Sequence, residues 1–210
     1  MRPGGHPLRP EVVAHHQRQR ILAGAAAVIA ERGYREVSVA DIVRGASIAR
    51  GRFYEHFSSK EDCFFALYEA GTEAALREVR EACDRSPGAF PERLEHGLSA
   101  LLAYLEANPQ MARCCVVEGP AVGPAIGERF ERVISEFAGL LRAARGDSAA
   151  GGELPATVEE TVVGGLYWLL YYALLEGRPK KIGRLLPQLF DFALIPFGAS
   201  PALGASSPVR

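Results

Sequence analysis

The sequence predicts an all-α fold: an N-terminal three-helix helix-turn-helix DNA-binding domain followed by a six-helix C-terminal domain. Three observations carry this reading. No stretch sustains the period-two alternation of a half-buried strand, whereas apolar residues recur at helical spacing. The interruptions are helix stops, with Gly and Pro clustered at Ser86-Pro87-Gly88, Asn108-Pro109, Gly119-Pro120, residues 146–152 and Gly177-Arg178-Pro179. Residues 38–57 then fit a short helix, a tight turn and a second short helix into about twenty positions, the size of a helix-turn-helix.

The elements follow in order. Residues 1–9, with Pro3, Gly4, Gly5 and Pro7, read as a disordered arm. Helix one spans 10–32, with Ile21, Ala25, Val28 and Ile29 on one face and Gly33 as its C′ stop. Ser38 N-caps helix two, where Asp41 at the third position favours the positive end of the dipole. Helix three covers 49–57. Ser58 with Glu61 three residues on reads as a capping box for helix four, which runs from 59 to 85. Further helices are expected at 91–107, 110–118, 122–145, 155–177 and 180–196, making nine. Residues 10–60 form the first domain and 61–198 the second, and the Ser/Pro/Ala/Gly-rich residues 199–210 read as a disordered tail.

Composition narrows the function. At 210 residues with 48% hydrophobic and 23% charged residues, the chain is soluble and globular with ample core. A net charge of −1 excludes a general nucleic-acid sponge, but the charge is uneven. Residues 1–60 hold ten Lys/Arg against five Asp/Glu, and residues 61–210 hold fourteen against twenty. A basic head on an acidic body suits DNA contact at one end. The apolar run 21–30 passes straight into helix-ending Glu31-Arg32-Gly33, so it is not read as a signal peptide. The run Val162–Leu175 falls short of the about 20 residues a membrane span needs, and no membrane partner is expected. A helix apolar all round reads as buried, with core on one side and a subunit interface on the other.

Cys63, Cys83, Cys114 and Cys115 form no C-x-x-C pair or zinc spacing, so no metal or cofactor is expected. They read as small buried hydrophobes in a reducing bacterial cytoplasm, and a redox role for the vicinal pair Cys114–Cys115 stays open. There is no Ser/His/Asp set and no phosphate loop. His15-His16 lies beside the arm, and Glu159-Glu160 are adjacent and point apart on a helix. An enzyme is therefore not expected.

In the helix-turn-helix, Ile42, Val43, Ile48, Phe53 and Phe57 can form a small core with helix one. Phe53 and Phe57, four apart, share one face, which turns Arg50, Arg52 and Tyr54 elsewhere. Arginine reads guanine bidentately, and Arg, Tyr, His and Lys all reach phosphates. Gly51 between two arginines allows close backbone approach to DNA. The stretch Ala46 to Glu61 (ASIARGRFYEHFSSKE) resembles the TetR family of bacterial transcriptional regulators, whose pattern there is roughly A-G-V-S-x-G-T-[LF]-Y-x-[HY]-F-x-S-K-E. Gly33-Tyr34 and Val39-Ala40-Asp41-Ile42 match too. Beyond residue 75 only the all-helical architecture is similar.

The resemblance implies that Ser38 and Val39 start helix two near the phosphate backbone. It implies that Arg50, Gly51 and Arg52 face the major groove from a helix opened by Ala49, and that Tyr54, His56 and Lys60 grip phosphates. This sequence departs from the pattern at three positions. The turn glycine is Ser47. The N-cap serine is Ala49, for which Ser47 substitutes if the helix starts earlier. The phosphate-binding threonine is Arg52.

A single helix-turn-helix binds weakly, so a homodimer is expected through helices 155–177 and 180–196, with double-stranded operator DNA as partner. The resemblance also implies an effector pocket in the body. The candidates are Tyr104, Met111, Cys114, Phe130, Phe137, Trp168, Tyr171 and Tyr172, an apolar set with hydroxyl handles for a small apolar or aromatic effector. The implied function is a homodimeric repressor that an effector releases from DNA. The alternatives are a ligand-responsive activator or a helical interaction module.

Overall fold

α1 (Pro10–Arg32) buries Ile21, Leu22, Ala25 and Ile29 along one face and stops where its sequence says it should. Gly33 takes φ +85° and donates its N–H to Ile29 O at 2.8 Å, a left-handed cap that suits glycine. The computed structural model describes residues 10–146, 154–155, 157–176 and 179–198. The arm expected at 1–9 and the tail expected at 199–210 lie outside the described residues.

Ser38 caps α2 (Val39–Gly45) in both directions. Its Oγ accepts the Asp41 N–H at 3.3 Å, and the Asp41 carboxylate accepts the Ser38 N–H at 2.9 Å. Asp41 also takes Arg32 at 2.8 Å and Arg44 at 3.2 Å. The Ser38 hydroxyl and N–H, and then Arg32, hold its carboxyl well below the usual carboxylate range. α2 lies so close to α1 that a Cβ on Gly24 would sit 2.6 Å from Ala46 N. Glycine there is a packing requirement.

α3 (Arg50–Tyr54) is shorter than the expected 49–57 at both ends. Ala49 is the N-cap and offers no side-chain acceptor. Ser47 does not extend the helix backwards, because it holds the turn itself at φ +53°. At the other end Glu55 and His56 form a turn that leads into the extended backbone of Ser59. Ser59, not Ser58, caps α4 (Lys60–Arg85), accepting the Asp62 N–H at 3.0 Å. The Ser58 N–H donates back to Asp62 Oδ2 at 2.8 Å. The cap thus falls one residue later than the expected Ser58–Glu61 box, and the return bond to Asp62 comes from Ser58, before the cap, rather than from the cap residue itself.

The body packs α4 against α5 (Phe90–Ala107), α7 (Gly127–Arg145) and α8 (Thr157–Leu175). α6 (Pro109–Ala112) runs into a π-helical turn, Arg113–Glu118. Helix 122–145 was expected to begin five residues before it does. Two 3₁₀ turns, Gly119–Val122 and Pro124–Ile126, fill the gap, because Pro120 and Pro124 donate no N–H and Gly123 takes φ +99°. The expected 180–196 helix also divides, into a 3₁₀ segment (Pro179–Leu185), α9 (Leu186–Leu194) and a 3₁₀ turn (Ile195–Phe197). The Gly183 N–H leaves the helical ladder for Glu106 Oε1 at 2.8 Å, and Pro187 opens α9. Among the described residues there are nine α-helices, three before residue 60 and six after, with no strand and no helix long and apolar enough to cross a membrane.

Two apolar cores result. The first joins Ile21, Ile29, Ile42, Phe53 and Phe57 to Phe64 and Leu67 at the start of α4. The second is built on Leu102, Leu170, Ile182 and Leu189. Between them lies Glu118, 7% exposed, whose carboxylate accepts the Tyr34 N–H at 2.9 Å and pairs with Arg113 at 3.4 Å.

The α2 cap gives a test by chemical denaturation. Ser38→Ala should cost about 1 kcal/mol. Asp41 is a group with a lowered folded pKa, so its stabilisation is complete above the unfolded value and fades as pH falls. Asp41→Asn should therefore flatten the loss of stability below about pH 4.

Candidate nucleic-acid interface

The exposed edge of α3 is built by burying its opposite edge. Phe53 is fully buried, and Phe57 follows one turn on with ring centroids 5.7 Å apart. Arg50, Gly51, Arg52 and Tyr54 then face outward. Arg50 lies along Tyr54, with Nη2 3.4 Å from the hydroxyl and its guanidinium carbon 5.7 Å from the ring centroid. Arg52 reaches Glu55 at 2.8 Å. Both partners of that pair are more than half exposed, so it is a weak contact that a phosphate can replace. Nothing stands within 4 Å of a would-be Cβ on Gly51, which leaves the helix surface open for close approach.

The remaining candidates divide. Ser38 and Ala49 are exposed at the starts of α2 and α3, and Val39 is half-buried. His56 and Lys60 turn inward. His56 Nε2 is enclosed with no partner. Lys60 donates to Tyr34 O at 3.0 Å and stands 4.2 Å from the Tyr34 ring centroid. A phosphate contact from either residue requires a change of side-chain position, because each packs against the loop between α1 and α2 or the base of α3.

Arg20 is a residue the sequence reading missed. Its Nη2 donates to Ala46 O and Ser47 O, both at 3.1 Å, so one guanidinium holds the two carbonyls of the turn between α2 and α3. Ser47 is the one non-glycine among the described residues with positive φ. A serine there carries a steric penalty that glycine lacks. Arg20 offsets it by fixing the turn from helix one. The signal was Gly24, a glycine inside a helix, with Arg20 four residues before it on the same face.

Behind the head, the body holds a partly open cavity of about 140 Å³. Tyr104, Met111, Phe130 and Phe137 line it, whereas Cys114, Trp168, Tyr171 and Tyr172 do not. α8 gives the cavity Val163, Leu166, Tyr167 and Leu170, spaced as one helical face, so residues 168, 171 and 172 fall on another. Trp168 is 54% exposed and stacks on Tyr171 at 5.5 Å. Cys114 points into the first core, its Sγ 3.6 Å from Ala26 O. Its neighbour Cys115 lines the cavity in its place, along with Tyr68, Thr72 and Tyr167. Burial pushes the Cys115 thiol up to about 12 and raises Cys114 as well, which disfavours the nucleophilic thiolate at both.

A model of bacterial regulatory proteins of the tetR family matches residues 21–67. The transcriptional repressor Rv1474c of Mycobacterium tuberculosis is 36% identical over 132 residues, which cover 59% of this chain and 71% of the relative. The chain belongs to the TetR family. The repressor KstR2 of M. tuberculosis is 32% identical over 106 residues, 46% of this chain, and that match spans about half of KstR2, 53%. The fold extends further than the sequence likeness. A transcriptional regulator FadR from Bacillus subtilis, solved in complex with stearoyl-CoA, superposes with a TM-score of 0.73 over 83% of this chain and 96% of its own, at 17% identity. The TetR-family match ends at 67, inside the first turns of α4, whereas the first core goes on to Tyr68, Cys114 and Ile126.

The turn clamp is testable in this TetR-family chain. Arg20→Met should weaken DNA binding by about tenfold, the effect of losing charge-assisted bonds to two carbonyls. Adding Ser47→Gly should restore most of it. Simple destabilisation of α1 would leave the double variant as weak as the single one. Binding is measured by fluorescence anisotropy on duplex selected from a random pool.

Proposed function

We propose that the protein is a cytoplasmic, homodimeric transcriptional repressor that leaves its operator when a small apolar effector enters the body. Residues 10–60 serve as the DNA-binding unit and 61–198 as the ligand-binding and dimerisation unit. The observation that carries this reading is the continuity of α4. It is capped beside α3 at Ser59, lines the cavity from Tyr68 to Cys83, and is one unbroken helix between. A ligand acts only through its differential affinity for two states of the protein. A helix common to head and cavity lets cavity occupancy favour one spacing of the two heads over another. That FadR of B. subtilis was solved with stearoyl-CoA supports a fold able to take a ligand with a long apolar chain.

The dimer rests on a surface that the chain's own core leaves uncovered. Trp168, Tyr172 and Leu175 of α8 and Ile195 after α9 are exposed large apolar residues. Gly164 has open space above it, while Gly165, on the other side, is approached by the Phe192 ring of α9. Exposed apolar patches of this kind mark interaction sites, and two equivalent patches would pack α8 and α9 against their symmetry mates. Sedimentation equilibrium should give a dimer at micromolar concentration. Trp168→Glu should shift it to monomer and weaken operator binding at least tenfold. A strict monomer for the unaltered chain sinks the dimer.

The DNA-binding assignment is tested by mobility shift on DNA flanking the gene. Arg52→Ala should lower affinity by roughly 1–3 kcal/mol, about five- to hundredfold. Tyr54→Phe should lower it by the smaller amount expected for one hydroxyl–phosphate bond, about fivefold. Binding indifferent to both substitutions removes α3 as the recognition helix. Transcription measured with and without the protein distinguishes repression from activation.

A further inference from the structure

The cavity has a shape. On α4 it is bordered from Tyr68 to Cys83, fifteen residues apart, and on α7 from Phe130 to Ala144, fourteen apart. At 1.5 Å per residue the borders are about 21–23 Å long. The two helices therefore flank one corridor along the bundle axis. Side chains from both helices line it over the whole of that length.

The cavity also has a chemistry. Among the described residues no Asp, Glu, Lys, Arg or His lines it. Of the hydroxyls that do, nearly all already donate to the backbone: Thr72 to Tyr68 O at 2.8 Å, Tyr104 to Gly71 O at 3.1 Å, and Tyr167 to Val116 O at 2.8 Å. The thiols of Cys115 and Cys83 likewise lie 3.8 Å from Tyr68 O and 3.5 Å from Arg93 O. The exception is Tyr68, whose hydroxyl makes no hydrogen bond among the described residues. Burial keeps that phenol protonated, and therefore a donor, at any ordinary pH.

We propose that the corridor binds an extended saturated hydrocarbon chain carrying one neutral oxygen acceptor, with the chain lying along α4 and the oxygen taking the Tyr68 hydroxyl. This rests on the reading of the cavity as the effector site and names the effector's class. A flat polycyclic ligand would fill a short wide space and leave most of this length empty. A ligand with several polar groups would desolvate them against donors already engaged, at a cost that nothing in the wall offsets. A charged group finds no counter-ion inside and stays in water.

The test uses the full chain and straight-chain alcohols from octanol to hexadecanol, with dodecane and hydroxyphenanthrene as controls, in calorimetric titration and thermal unfolding. Affinity should rise about fourfold per methylene until the corridor is full, the value for burying one methylene group. Tyr68→Phe should weaken dodecanol about fivefold and leave dodecane unchanged. Ala75→Met, which narrows the bore midway, should move the best chain length to shorter alcohols. Affinity independent of chain length, or hydroxyphenanthrene binding more tightly than an equally hydrophobic alcohol, overturns the proposal.

DNA release separates this proposal from the effector reading. Alcohols that bind with the expected length dependence but leave operator binding intact keep the ligand class and remove its regulatory role. Release by hydroxyphenanthrene and not by the alcohols keeps an effector site and overturns the chain.

Discussion

The buried Glu118 carboxylate is the contact on which the arrangement of head and body depends. The Tyr34 amide sits in the loop between α1 and α2, away from water, and has no helical partner. Glu118 supplies one from the body at 2.9 Å, and Arg113 balances its charge. A buried amide left unpaired carries a penalty comparable to a lost hydrogen bond, and a buried carboxylate without its pair carries a larger one. Each needs the other in place. The π-helical turn that delivers Glu118 also sends Cys114 into the first core and Cys115 to the cavity wall. One widened turn thus touches the helix-turn-helix loop, the head core and the cavity together.

Recognition geometry rests on a second long-range contact. The five residues of α3 are too few to be stable alone, and the N-cap is an alanine. What holds α3 is Phe53 beneath it and the turn before it. That turn is fixed from α1 through the Gly24–Ala46 approach and the Arg20 bonds to two carbonyls. The family's turn glycine is replaced by Ser47 here, and its cap serine by Ala49. The local signals for a sharp turn and a helix start have both weakened, and tertiary contacts carry them instead.

That division explains what the sequence made legible. Where a boundary is written in local chemistry, it could be read: Gly33 ends α1, Ser38 opens α2, and Ser86-Pro87 closes α4. It was misread where two neighbours compete, as Ser58 and Ser59 do for one cap, or where a distant side chain intervenes, as Glu106 does at Gly183. On α3 the outward residues followed from the Phe53–Phe57 pair. His56 and Lys60 did not, because Lys60 turns in to Tyr34 in the distant α1–α2 loop and His56 tucks its ring beside Phe57. In the body, aromatic identity pointed to Trp168 and Tyr172, but helical phase decides which face a residue occupies. Val163, Leu166 and Leu170 set that phase and put both aromatics on the outside.

The basic head looks different once its charges are followed to their partners. Arg20 holds the turn, Arg32 and Arg44 converge on Asp41, Arg35 reaches Ala121 O, and Lys60 holds Tyr34 O. Among the described residues these cations also hold scaffold contacts, so formal charge overstates how many of them are free to displace counterions from a duplex. The salt dependence of DNA association scales with phosphates neutralised and not with formal charge. Under the proposed docking of α3 that dependence should be shallower than the ten Lys/Arg of residues 1–60 suggest.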